Sequence, residues 1–216
     1  MTQILETKYS QQAIQQKRLK IYKQLMLQSA NIKIGAITAI STADLYSLFE
    51  LYDSVFFKNW FKESFKGLIH FSLSRRMTKS AGSTLCPKHA NTEIQKLPVF
   101  EIRIGVDFFF NYHLAEGSKK VCGINTNSSL EALQLVFEHE LCHVLEFIHF
   151  NDSNCSGERF KAIAGNLFGH TDSHHQLPTH KKIAYQKLGL KVGDPVSEYS
   201  DGFEPLNPMQ RAMQSK

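Results

Sequence analysis

The sequence predicts an α+β fold. Four stretches carry apolar residues at steps of three and four, the period of a helix with one buried face. Two shorter stretches alternate apolar and polar residues one by one, as a half-buried strand does. The strands sit together in the middle of the chain with helical stretches on both sides, and no internal repeat interrupts that order.

Residues 8 to 29 form the first helical stretch, with Ile14, Leu19, Tyr22, Leu25 and Met26 loosely periodic and the lysines largely on the other side. That basic face reads as solvated rather than as a dedicated DNA-binding surface. Ser41 or Thr42 can cap a second helix through Tyr52, carrying Leu45, Leu48, Phe49 and Tyr52. The aromatic cluster Phe56, Phe57, Trp60, Phe61 and Phe65 reads as core. Leu68 to Ser74 is the first strand. Phe100 to Val106 is the second, with Phe100, Ile102, Ile104 and Val106 on one face and Glu101 and Arg103 on the other. Between them, Lys79 to Ser83 reads as a turn and Cys86 to Pro98 as a polar loop.

Phe108 to Phe110 begins a short buried segment, and Gly117 to Ser129 reads as a loop. Leu130 to Phe150 is an apolar helix with the stripe Leu133, Phe137, Leu141, Val144 and Ile148. Ser128 and Glu131 fit a capping box at its start. Asn151 to Cys155 is a turn. Gly157 to Phe168 is the last helix, with Phe160, Ile163, Ala164 and Leu167 spaced for burial and Gly169 as its stop. From about Asp194 the chain is Pro- and Gly-bearing with little periodicity, a loose extension. The expected organisation is a basic helical extension over 1–40, a main domain over 41–193 and a tail over 194–216.

Composition bounds the function. Apolar residues make up 42% and include 16 Phe, enough for one sizeable core. The formal charge of +5 is mildly basic, compatible with nucleic acid without demanding it. The four cysteines, Cys86, Cys122, Cys142 and Cys155, form no C-x-x-C pair and so carry no zinc-ribbon or redox signature. No signal peptide and no membrane-length apolar run is visible, so the expectation is a cytoplasmic chain with free thiols.

The chemistry lies in His139-Glu140-Leu141-Cys142-His143, an H-E-x-x-H sequence within the apolar helix. Positions i and i+4 lie one above the other on a helix, so His139 and His143 can present two nitrogens to one metal ion. A zinc ion held by neutral nitrogens lowers the pKa of its water toward ~7. Glu140, one residue after the first ligand, can take the proton without displacing a ligand.

Several segments together resemble the SprT family. Leu48-Phe49-Glu50-Leu51-Tyr52-Asp53 with Phe56-Phe57 is similar to its opening helix, and Phe71 to Thr78 with Ala81-Gly82 to its first strand and the turn after it. Glu101-Ile102-Arg103-Ile104 resembles the second strand. The H-E-x-x-H helix follows in the expected place. Arg159-Phe160-Lys161 and Phe168-Gly169-His170-Thr171 resemble the last helix and its exit, and His175-Gln176-Leu177 a closing strand. The likeness spans roughly residues 42 to 180. It implies a zincin-like metallopeptidase fold, a small sheet packed on helices with the H-E-x-x-H helix under the substrate cleft. It also implies His139 and His143 as zinc ligands, Glu140 as general base, and cleavage of proteins trapped on DNA.

One departure stands out. The family's third ligand is a histidine four residues before the aromatic of the last helix, and here that position is Ser156. A neutral hydroxyl is a poor zinc ligand. Cys155 is the first substitute, because thiolate binds zinc well and the residue falls at the start of the last helix. Glu158 and His170 are the others. The departure also motivates a rival reading, a non-catalytic DNA-associated or scaffold protein that keeps a structural metal. The tract His170, His174, His175 and His180 reads as a surface loop ahead of a second metal site. Arg75, Arg76 and Lys79 could meet DNA phosphates or a substrate backbone. The partners expected are a protein substrate and DNA held electrostatically without sequence preference; no membrane is expected.

Overall fold

The computed structural model describes residues 4–86, 97–114, 119–174 and 177. The chain runs α1 (Gln11–Gln28), α2 (Thr42–Val55), α3 (Trp60–Ser64), β1 (Leu68–Ser74), β2 (Gly82–Leu85), β3 (Val99–Gly105), α4 (Asp107–Phe110), β4 (Lys120–Val121), β5 (Ile124–Asn125), α5 (Ser129–Phe150) and α6 (Glu158–Phe168). The expected closing strand lies outside the described residues except for Leu177, as do most of the 86–98 loop and the tail from 194.

α5 is the centre of the molecule. Ser128 caps it by accepting a hydrogen bond from the Glu131 amide at 3.2 Å, while the Glu131 carboxylate accepts from the Asn127 amide at 2.8 Å, one residue earlier than a full capping box would have it. Asn151 closes the helix in the left-handed conformation, φ 55°. Almost every residue from Ser129 to Glu146 is buried, not only the expected stripe, because α1, α4, α6, β2 and β4 all pack on this helix. A helix covered on all sides needs no polar face, which explains its apolar composition.

The three-stranded sheet has the order β1-β3-β2, with β1 parallel and β2 antiparallel to β3. Phe100, Ile102 and Ile104 point into the core as their alternation predicts. Phe71 of β1 stacks on Phe137 of α5 at 5.7 Å, and Phe100 of β3 on Phe147 at 6.1 Å. On the other face Glu101 accepts from Ser72 at 2.5 Å and from Arg103 at 2.9 Å. The aromatic cluster is core: Phe56, Phe57 and Phe61 are buried, and Phe56 packs on Tyr52 and Phe168. Truncating any one of these rings to Ala costs ~3–5 kcal/mol.

Three expectations change. Lys79 to Ser83 is not all turn, because Gly82 and Ser83 open the edge strand β2. Four residues are too few for alternation to register. The 117–129 stretch holds a β4–β5 hairpin whose turn is Cys122-Gly123, with φ 52° and 80°; both positive angles suit a primed two-residue turn. In α1 the buried residues are Ile14, Ile21 and Leu25, while Leu19 is 51% exposed. Arg18 falls on that buried stripe, which is why the apolar period looked loose.

Arg18 reaches through the core to α5. Its Nε donates to Glu138 Oε1 at 2.8 Å, and its guanidinium also donates to Glu138 Oε2 and to the Phe168 carbonyl, each at 2.5 Å. Glu138 is fully buried and accepts as well from Tyr52 at 2.8 Å and from His170 Nε2 at 2.9 Å. Burial opposes the charge on Glu138, but Arg18 and these donors hold its carboxyl below the usual range. One carboxylate thereby ties α1, α2, α5 and the exit of α6 together.

Candidate metal centre

His139 and His143 stand one turn apart on α5, and their Nε2 atoms are 3.1 Å apart. Phe160 of α6 covers both imidazoles, with ring centroids 4.8 and 4.6 Å away. The sulfur of Cys155 closes the group: the ligand atoms of His139, His143 and Cys155 all lie within 4.8 Å of one another. Two imidazole nitrogens and a sulfur form a donor set suited to a borderline-soft ion, and three protein ligands leave a fourth position for water or substrate. Burial pushes the His143 imidazole down to about 4, with Glu146 opposing, so its ring is neutral at ordinary pH, as a ligand must be.

The three groups sit in an open cleft of about 450 Å³. Lys79, Ser80 and β2 form one part of its lining, and Ser173 and His174 another. Glu140 lies in the same cleft, on the α5 turn that carries His139. Thr84 of β2 donates its hydroxyl to Glu140 Oε2 at 2.8 Å and lies 3.1 Å from the Glu140 carbonyl. Burial pushes the Glu140 carboxyl up to about 8, with the Thr84 hydrogen bond opposing. A cation nearby favours the carboxylate again. Gly82 makes the close approach of β2 feasible: a Cβ there would sit 2.5 Å from Glu140 Oε1 and 2.8 Å from Val136.

Below the cleft a hydrogen-bonded chain runs outward from His143. Its Nδ1 is 2.6 Å from Ser153 Oγ, and Ser153 donates to Glu146 Oε2 at 2.7 Å. Glu146, 1% exposed, also accepts from the Asn154 amide at 3.0 Å and from Arg159 Nε at 2.7 Å. The sequence reading missed Thr84, Ser153 and Glu146. Thr84 sits in a strand too short to register, and the Ser153–Glu146 pair closes only once the turn folds back on α5.

The other third-ligand candidates point elsewhere. Glu158 is exposed and pairs with Lys161 at 2.8 Å. His170 is buried against Glu138 on the Arg18 side of α5. The Ser156 amide bonds Asn154 Oδ1, and its side chain lines a separate cavity beside Phe160. Cys155 precedes the helix cap Gly157 by two residues, so it belongs to the turn rather than to the helix start. His174 is exposed with Nδ1 2.7 Å from Asp172, while His175 and His180 lie outside the described residues. The 171–174 segment bonds the Cys122 turn, Thr171 donating to the Cys122 carbonyl and Cys122 to the His174 carbonyl.

A small mixed sheet laid against a helix carrying H-E-x-x-H, with the motif facing an open cleft, is the arrangement of a zincin-like α+β protein. The family model for the SprT-like family matches residues 45–181, more than half of the chain, and the chain belongs to that family. No curated protein and no solved structure matches it. The family is of metallopeptidase type, and the His139–His143–Cys155 group can hold a metal ion. Among the described residues no helix is long and apolar enough to cross a membrane, and none of the four cysteines is in a disulfide.

Proposed function

We propose that this protein is a zinc-dependent endopeptidase of SprT-like type. The observation that carries the reading is Glu140: a buried carboxylate, held by Thr84, in one cleft with two imidazoles and a thiol. His139, His143 and Cys155 are the residues that would hold the ion. Zinc, when bound, supplies Lewis-acid polarisation of the scissile carbonyl and acidifies a water. Glu140 takes the proton of the attacking water and returns it to the departing amine. Thr84 keeps the carboxylate turned toward the cleft, and the β2 edge limits water around it.

Protein substrates attached to DNA fit the same reading, as does a cytoplasmic site of action. The chain carries a net +5, and the exposed Arg75 and Arg76 lie close in sequence to Lys79 on the cleft wall. Such binding would be electrostatic and weakly sequence-dependent, weakening strongly between about 50 and 200 mM salt. Ser156 supports the rival, a metal-holding scaffold without activity. Glu140→Gln separates the two. The amide keeps the shape and the zinc but cannot take a proton, so cleavage of an unfolded protein substrate should fall at least ~10²-fold. Equal cleavage by parent and variant removes Glu140 as base. No cleavage by the zinc-loaded parent, with and without DNA, leaves the scaffold.

A further inference from the structure

The Ser156 position leaves this chain without the histidine its family uses, and the turn carrying Cys155 has to be held by something else. We propose that Glu146 is the positioning residue of the metal centre. It fixes the ring of His143 through Ser153, and it holds the Cys155 turn through Ser153 and Asn154. The proposal rests on reading His139, His143 and Cys155 as the metal ligands.

The direction of the hydrogen bonds carries the argument. Ser153 has one hydroxyl proton, and it goes to Glu146 Oε2 at 2.7 Å. Toward His143, 2.6 Å away, the same oxygen can then only accept. Nδ1 of His143 must therefore carry the ring proton. That leaves the lone pair on Nε2, the nitrogen 3.1 Å from Nε2 of His139 in the cleft. A ligating histidine is ordinarily oriented in this way, by a partner on its other nitrogen. Here the partner is a hydroxyl backed by a carboxylate.

The same carboxylate reaches the third ligand. Glu146 accepts from the backbone of Asn154, the residue before Cys155, at 3.0 Å, and from Arg159 on α6 at 2.7 Å. It therefore joins α5, the ligand-bearing turn and α6 at one buried point. A group that only capped the turn would have no reason to be linked, through Ser153, to the outward nitrogen of His143 as well.

The test measures zinc affinity by competition with a chromogenic chelator, and the His143 ring tautomer by long-range ¹H–¹⁵N correlation spectra of the metal-free protein. The metal-free parent is expected to show His143 protonated on Nδ1. Ser153→Ala should lose that preference and bind zinc about 10- to 100-fold more weakly. Ser153→Thr keeps a hydroxyl and should restore both. Glu146→Gln should weaken zinc at least as much as Ser153→Ala. A parent His143 protonated on Nε2, an unchanged zinc affinity in Ser153→Ala, or a loss that Ser153→Thr does not restore would each overturn the proposal while leaving a zinc-binding parent intact. A parent that binds no zinc overturns the metal-centre reading and this proposal together.

Discussion

Thr84 on an edge strand donates a hydrogen bond of 2.8 Å to the buried carboxylate of Glu140 on the central helix. The bond joins the sheet to the central helix at the one acidic side chain of the H-E-x-x-H motif. Because burial alone disfavours the carboxylate, a donor aimed at it does two things: it favours the charged form and fixes the orientation from which a proton can be taken. Thr84→Val keeps the branched shape and removes the hydroxyl. A hydrogen bond of this kind is worth about 0.5–1.5 kcal/mol, so proteolysis should fall about 2- to 13-fold with zinc content unchanged. Steady-state cleavage beside elemental analysis checks this; an unchanged rate means the hydroxyl serves packing alone.

Gly82 permits that contact. An added methyl would meet Glu140 Oε1 at 2.5 Å and Val136 at 2.8 Å, and Val136 is buried in the core with nowhere to move. Gly82→Ala should push β2 away from α5 at a cost of ~1–3 kcal/mol, seen as a lower urea midpoint, and should impair cleavage more than Thr84→Val does. A variant as stable and as active as the parent would mean that β2 stands off from α5 by more than these distances.

Under the zinc reading, Cys155 supplies the third ligand that Ser156 does not. Its sulfur lies within 4.8 Å of both histidine nitrogens, whereas Glu158 pairs with Lys161 in solvent. Cys155→Ala should weaken zinc at least ~10-fold, and Glu158→Ala and Cys86→Ala should not. Cobalt substitution gives an independent readout, because a thiolate ligand adds an intense near-ultraviolet charge-transfer band. That band should be present in the parent and absent in Cys155→Ala. A larger loss of zinc in Glu158→Ala would move the ligand there.

Much of this site was readable because its signals are local. His139, Glu140 and His143 fall within five residues, and their relation follows from helix geometry alone. The alternation of Phe100, Ile102 and Ile104 gave β3 its inward face for the same reason. The pieces that escaped are long-range or short. Thr84 and Glu140 are 56 residues apart, and β2 is four residues long. Arg18 carried no signal of its role, because nothing nearby in sequence announces a partner 120 positions away. The paired strands β4 and β5 are two residues each, and only the Cys122-Gly123 turn carried a signal for them.

Asp44 gives the fold a pH dependence that is independent of the metal. Its carboxylate completes the cap of α2 with Ser41 and accepts from Ser29 at 2.5 Å and Asn31 at 2.7 Å. Burial alone would raise its pKa, but these donors together hold it below the usual carboxylate range. A depressed carboxyl stabilises the fold above its unfolded pKa and loses that contribution as the pH falls through the folded one. The stability gap between the parent and Asp44→Asn should therefore be full near neutrality and shrink below about pH 4. Urea midpoints across pH 3 to 7 measure it, and a gap constant over that range would assign the effect to cap geometry instead of charge.

Arg18 tests whether the first helix is an extension or part of the core. Glu138 has no exposure to water and takes hydrogen bonds from Arg18, Tyr52 and His170. Of these donors only Arg18 brings a fixed positive charge; burial holds the His170 imidazole down, against the pull of Glu138. Arg18→Ala would leave a carboxylate in the core without its cation, which costs ~3–5 kcal/mol in comparable pairs. The double variant Arg18→Met with Glu138→Gln removes both charges and should recover much of the loss, since an ion pair buried this deeply gains little over neutral packing. Chemical denaturation of the three proteins decides the matter. If Arg18→Ala is as stable as the parent, α1 is peripheral and residues 1–40 behave as the separate extension their composition suggests. If it is destabilised and the double variant is not, α1 belongs to the same cooperative unit as the H-E-x-x-H helix, and truncation before residue 41 would remove the buried Ile14, Ile21 and Leu25 and bare the core surface they cover.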